Sequence, residues 1–150
     1  MSPEENKQIV SQYFEACARG DLDGAAEYFA AEGINHGMPV KREQIRMVLD
    51  DLSQTFGGIN TEIVTVIAAD DWVAARTWMS GKHTGKNVVP IHMLTPGTEP
   101  TGKPFRVQVI HMFRLADGLI TEHWAGRDDL GLHWQLGLIE APDWYKARMG

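Results

Sequence analysis

Ile9, Val10, Tyr13, Phe14 and Cys17 recur at three- and four-residue intervals and mark one apolar face of a helix. Ser2, Pro3, Glu4 and Glu5 ahead of them are start signals: a hydroxyl to cap, a proline for the first helical position, and acids in the first turn. Gly20 ends this helix. Asp21 restarts a short one whose inner stripe is Leu22, Ala25, Ala26 and Phe29, so that "RGDLDG" joins a helical hairpin. The period breaks between Gly33 and Val40, where Ile34, Asn35 and His36 read as a short extended stretch closed by Gly37 and Pro39. A third helix is predicted from about Lys41 to Phe56. Ile45, Val48, Leu49, Leu52 and Phe56 form its core face, and Gly57-Gly58 is its stop.

Beyond that point the apolar period becomes two. Asn60 to Ala68 and Trp72 to Lys82 are predicted strands on either side of an Asp70-Asp71 turn. His83 to Lys103 holds Pro90, Pro96 and Pro100 among several glycines and reads as loop, with one short strand at most, at Val88–Leu94. Phe105 to Leu115 and Leu119 to Arg127 are strong strands around Asp117-Gly118, a hairpin turn pair. Asp128 to Leu136 makes a last helical turn or two before Gly137, and the tail is polar apart from Trp144-Tyr145. Helices followed by a run of strands mean α+β rather than α/β. The helices then wrap one face of a curved sheet, mixed or antiparallel, and enclose a cavity open at one end. One domain spanning residues 1–150 is expected.

Composition narrows the classes. With 43% hydrophobic and 23% charged residues the chain is balanced like a soluble globular protein. No apolar run approaches the ~20 residues of a membrane-crossing helix. The N-terminus is polar and acidic, unlike a signal peptide. A single cysteine, Cys17, makes neither an intrachain disulfide nor a thiolate metal site, and a cytoplasmic location is the simplest expectation. The net charge of −6 repels phosphate, so no nucleic-acid partner is expected.

The familiar phosphate-loop, serine-hydrolase and zinc-helix motifs are absent. Strand alternation puts Val107, Val109, His111 and Phe113 on one face, and Arg106, Gln108, Ile110 and Met112 on the other. On the next strand Thr121, His123, Ala125 and Arg127 alternate with Ile120, Glu122, Trp124 and Gly126. If the first sets face the cavity, two imidazoles project into an apolar pocket, able to move a proton near neutral pH or simply satisfying buried polar partners. A metal site of His111, His123 and a carboxylate is possible on this inventory, but nothing in the spacing requires one, and none is expected. Asp128 is either the cap of the last helix or a carboxylate at the pocket rim. Trp72, Trp78, Trp124 and Trp134 either line a pocket or belong to core and subunit contacts.

The stretch from Thr101 to Gly137, with "HMFRLADGLITEHW" and the terminal "QLG", resembles the SnoaL-like polyketide cyclase family, as does the opening "IVSQYFEACARGDLDGAAEYFAAEGINHG". The resemblance implies a nuclear transport factor 2-like cone and cofactor-free ring closure by an intramolecular aldol reaction. It also implies a pocket asparagine at Asn35 and a pocket histidine at His111. Two positions depart from the family pattern. The acid/base aspartate falls seven residues after the turn glycine Gly118, at Ala125, and a pocket glutamine falls at Val109. An alanine is no base, so His111, His123, Asp128 or His36 would have to take over. Arg127 steadies a developing enolate, binds a carboxylate, or pairs with Asp128 or Asp129.

The reading is then a cyclase- or isomerase-type enzyme using no cofactor and acting on a hydrophobic, oxygenated small molecule. His111, His123 and Asp128 are its candidate catalytic residues. Asn35, His36, Val109, Phe113, Ala125 and Arg127 are its candidate contacts to substrate. A non-catalytic binder of the same fold is the alternative. A homodimer is expected through the outer sheet face carrying Gln108, Ile110, Met112, Glu122 and Trp124.

Overall fold

The computed structural model describes residues 1–90 and 93–149. Helix α1 (Pro3–Ala18) opens on a capping box. The Ser2 hydroxyl accepts the Glu5 N–H at 3.2 Å, and the Ser2 N–H donates to the Glu5 carboxylate at 2.6 Å. Val10, Tyr13 and Phe14 form its buried face. Helix α2 (Leu22–Glu27) is capped by Asp21, whose carboxylate accepts the Gly24 N–H at 2.9 Å.

Phe29 does not extend the α2 stripe. It begins β1 (Phe29–Asn35), because the Ile120 N–H donates to the Tyr28 carbonyl at 2.8 Å and Phe29 pairs with Ile120. A strand far along the chain captures a residue whose spacing alone suits the helix. The predicted extended stretch at Ile34–His36 is therefore the end of a longer strand. His36 (φ 50°) and Gly37 (φ 80°) are both left-handed and make a tight two-residue turn into β2 (Met38–Lys41).

Helix α3 (Arg42–Thr55) is followed at once by β3 (Phe56–Ala69), which starts earlier than the predicted Asn60. Phe56 belongs to this strand, fully buried and paired with His83. Gly57-Gly58 is therefore not just a helix stop. It lies inside β3, where the register shifts between Gly57 and Asn60 and Gly58 takes φ 63°. The antiparallel strands β4 (Trp72–His83), β5 (Pro104–Ala116) and β6 (Leu119–Arg127) follow, with Asp117 and Gly118 in the expected hairpin turn.

Among the described residues six strands form one sheet in the order β2-β1-β6-β5-β4-β3. The sheet is mixed, since β1 runs parallel to β6 while the other neighbours are antiparallel. Pro39 sits in the outermost strand, where a missing N–H costs no ladder bond. A register shift on β6 sets Arg114 opposite Glu122 but Leu115 opposite Ile120, leaving Thr121 as the extra residue. Ile120, expected on the outer face, is turned inward and is 1% exposed.

One core cluster joins Val10, Phe14, Phe29 and Phe113 under α1. A second joins Phe56, Phe105, Leu132 and Leu136 under α4 (Asp129–Leu136). Gly137, in the left-handed region at φ 72°, ends α4. The tail carries one more helix, α5 (Asp143–Met149), which has no buried apolar stripe to announce it. Its aromatic pair packs on Trp134, with ring centroids 5.7 Å from Trp144 and 4.7 Å from Tyr145.

Of the short strand expected at Val88–Leu94, Val88 to Pro90 is irregular, and Ile91 and His92 lie outside the described residues. This loop is pinned by Asp51, a buried carboxylate on α3 that accepts the Val88 N–H at 2.8 Å and the Val89 N–H at 3.3 Å. No described helix is long and apolar enough to cross a membrane.

Candidate active site

A cavity of about 730 Å³ lies between the helices and the inner face of the sheet. Ile45, Val48, Leu49 and Leu52 of α3 and Phe14 of α1 supply apolar wall, because their helices turn the periodic stripe inward. The sheet supplies the chemistry. Val109 and His111 on β5 and His123, Ala125 and Arg127 on β6 all reach the wall, as period-two alternation requires. Asn35 enters from the end of β1, its partner in register being His123, and His36 enters from the turn that follows.

Three of these side chains form a line. His123 Nδ1 is 3.0 Å from Asn35 Oδ1, and His123 Nε2 is 3.0 Å from His111 Nδ1. An amide oxygen only accepts, so His123 carries its hydrogen on Nδ1 and presents a bare Nε2. His111 must then donate from Nδ1, which leaves the lone pair of a neutral imidazole on His111 Nε2. Among the described residues Nε2 takes no hydrogen bond. Phe113 stacks beneath both imidazoles, 4.8 Å from His123 and 5.7 Å from His111, while Phe14 meets His111 edge-on at 5.1 Å.

Burial among these rings pushes the His111 pKa down to about 3, with the positive charges of Arg127 and His36 adding to the effect. His123 is held well below the usual histidine range, first by burial and then by His111, His36 and Arg127. Both rings are neutral at physiological pH. On the helix side, burial raises the Cys17 thiol to about 11 and lifts the Tyr13 phenol well above its ordinary value, so these two are neutral as well.

Phe113 and Asp128 do not reach the wall. Phe113 is wholly buried behind the histidines. The Asp128 carboxylate accepts the Gly131 N–H at 2.9 Å and caps α4. A Cβ on Gly131 would come within 2.1 Å of that carboxylate, so the aspartate and the glycine are fitted to each other. Arg127 makes the ion pair that the sequence allowed, its Nε donating to Asp129 at 3.1 Å, and it also lines the cavity.

Trp72 and Trp78 lie under the guanidinium groups of Arg114 and Arg106, and none of the tryptophans reaches the cavity. Among the described residues no group of three or more His, Cys, Asp or Glu side chains could hold a metal ion. Sequence reasoning did not single out several further wall residues, among them Met47 and Gln44 of α3 and Val89, Pro90 and Met93 of the loop. Only Met47 gave a signal, as a large apolar residue just off the helix stripe.

Helices packed into the hollow of an open, mixed sheet define a small α+β protein of the nuclear transport factor 2-like kind. The chain AclR of Streptomyces galilaeus, a proposed hydroxylase, shares this fold at a TM-score of 0.77 and 20% identity, over 99% of this chain and 91% of that one. This chain belongs to the SnoaL-like polyketide cyclase family, whose model matches residues 7–136. It is 28% identical over 136 residues to the aklanonic acid methyl ester cyclase DnrD of Streptomyces peucetius, covering 86% of this chain and 88% of that one. It is also similar to IdmH of Streptomyces antibioticus, a proposed polyketide cyclase, at 26% identity and a TM-score of 0.71, over 88% of this chain and 98% of that one.

Proposed function

We propose that this protein is a cofactor-free cyclase- or isomerase-type enzyme acting on a hydrophobic, oxygenated small molecule, with His111 as its general base in place of the aspartate that Ala125 replaces. The observation that carries this reading is the Asn35–His123–His111 line, which fixes one tautomer and turns a lone pair on His111 Nε2 away from its partners. The family relationship supplies the reaction class.

In the proposed reaction His111 Nε2 takes a proton from a carbon between two carbonyl groups. The C–H electron pair passes into an enolate. The enolate carbon bonds to a second carbonyl carbon of the same molecule, and the alkoxide so formed recovers the proton from the imidazolium. Arg127 faces the same wall and stabilises the enolate oxygen. A buried imidazole is a weak base in the empty site, but the enolate it creates is a negative charge that stabilises the imidazolium beside it. The apolar wall folds a flexible chain against itself, which is the proximity contribution. Asp128 acts in this scheme through α4, by holding the helix that follows Arg127, and Phe113 by holding the imidazole planes.

The test is incubation with aklanonic acid methyl ester, the compound its relatives are named for, followed by chromatography for a product of unchanged mass. The wild type should convert it, and His111→Ala should lower the rate by about 10²-fold or more. An unchanged rate would remove His111 as the base.

The second reading is a protein that binds such a molecule without converting it. Ala125 favours it, since a methyl group stands opposite His111 where the family has an acid. A ligand recovered unchanged from the purified protein would support that reading. We also propose one domain, a cytoplasmic location, no nucleic-acid partner, and a homodimer formed through the outer sheet face, where Ile110, Met112 and Trp124 are exposed.

A further inference from the structure

We infer that the cavity takes its ligand as an anion, a molecule bearing a carboxylate or enolate oxygen, and that the imidazole pair takes up a proton as this ligand binds. The inference rests on the small-molecule reading above and names the charge of the molecule.

The argument starts from what the wall lacks. Among its described residues there is no aspartate and no glutamate. From β5 and β6 it presents His111, His123 and Arg127, and from the β1–β2 turn His36. Helix α1 adds Tyr13 and Cys17, both held neutral by burial. Helix α3 adds only the uncharged polar groups of Gln44 and Ser53, and the loop adds Val89, Pro90 and Met93. Each group in this wall able to carry charge near neutral pH therefore carries it as a cation.

The carboxylate that meets Arg127 is Asp129 on α4, which touches it at Nε and is itself outside the wall. The remaining guanidinium nitrogens have no hydrogen bond within the described chain. Arg127 is 13% exposed, so its charge acts in a poorly solvated place, where an anion is attracted more strongly than in water.

Burial and the surrounding cations keep both imidazoles neutral in the empty cavity. An anion seated against them reverses the second of these causes and favours the charged ring. The proton comes from the buffer, and the complex holds an imidazolium beside the bound anion, the charge state that the proton transfer proposed above reaches from a neutral ligand. By linkage, affinity for the anion then rises as the pH falls from 8 to 6. A neutral ester draws no proton and shows no such dependence. The named relatives act on a methyl ester, in which the carboxylate is capped. This cavity asks for an uncapped acid or an enolate.

Isothermal titration calorimetry with anthraquinone carboxylate, its methyl ester and acetylindanedione (an enolate at neutral pH) tests this. Each titration is run at pH 6 and pH 8, in buffers of different ionisation enthalpy that count the protons exchanged. An anion should bind about tenfold or more tighter than the ester at pH 6, with proton uptake and weaker binding at pH 8. Arg127→Gln should lose most of that preference. Whichever anion binds better identifies the oxygen, carboxylate or enolate. Ester binding as tight as either anion, with no proton uptake, overturns the inference and leaves the cavity a small-molecule site. Binding of none of the three overturns the small-molecule reading and this inference with it.

Discussion

Ala125 and His111 are partners in register across the β5–β6 hairpin, so the side chain at 125 is the imidazole's cross-strand neighbour. An acid at position 125 would set a negative charge against the imidazole. A methyl group leaves the imidazole to burial and to the cations around it, which hold it near a pKa of about 3. Introducing an acid there should therefore undo the shift. In Ala125→Asp the His111 ring is expected to titrate about 1–3 pH units higher than in the wild type. Imidazole NMR between pH 4 and 8 checks this: the wild-type ring should stay neutral throughout, and an unshifted variant ring would contradict the account. At this scale much was legible beforehand. Period-two alternation placed Val109, His111, His123, Ala125 and Arg127 on one wall, and the structure keeps them there. The hydrogen-bonded line through Asn35 was not legible, because that contact spans β1 and β6, which are distant in sequence.

The elements were read best where local spacing decides them and worst where another strand does. The α1 cap and the Asp117-Gly118 turn follow from nearest neighbours. Phe29, Phe56 and Ile120 were placed in the wrong element or on the wrong face, since each is fixed by pairing or a register shift that spacing cannot reveal. Gly33 marks the tightest such junction. A Cβ there would meet the Thr121 carbonyl oxygen at 2.5 Å, backbone against backbone, beside the β6 bulge. Gly33→Ala should accordingly force β1 away from β6 and destabilise the fold by about 2 kcal/mol or more, a backbone clash being among the costly classes of substitution. Urea denaturation measures it, and a change below about 0.5 kcal/mol would show that the junction has slack. Because β1 carries Asn35, the same variant should also loosen the His123 contact.

For the whole molecule, two half-buried neutral histidines packed among aromatic rings make stability depend on pH. In the unfolded chain an imidazole takes up a proton near pH 6.5. In the folded protein His111 does so only near pH 3, and His123 is depressed as well. Between these values the unfolded state binds more protons, so stability is full above about pH 6.5 and declines as the pH falls. The expected loss between pH 7.5 and pH 5 is about 2 kcal/mol from His111 alone, with His123 adding in the same direction, seen as a lower urea midpoint. His111→Phe should flatten the decline, and a midpoint that does not move with pH would contradict the burial argument. The outer sheet face gives the second prediction. Ile110, Met112 and Trp124 lie exposed side by side on β5 and β6, and sedimentation at micromolar concentration should find a dimer. A monomer would leave that face without the proposed cover.

Taken alone, the sequence determined the α+β class, the helical caps, the hairpin turn and the identity of the side chains on the cavity face of β5 and β6. These depend on spacing and on conformations that neighbouring residues enforce. The tertiary structure decided the parallel pairing of β1 with β6 and the inward turn of Ile120. It also decided the meeting of Asn35, His123 and His111 in one line. Each of these is a contact whose energy is realised only when distant segments are brought together, and hydrophobic periodicity carries no record of which partner a strand will find.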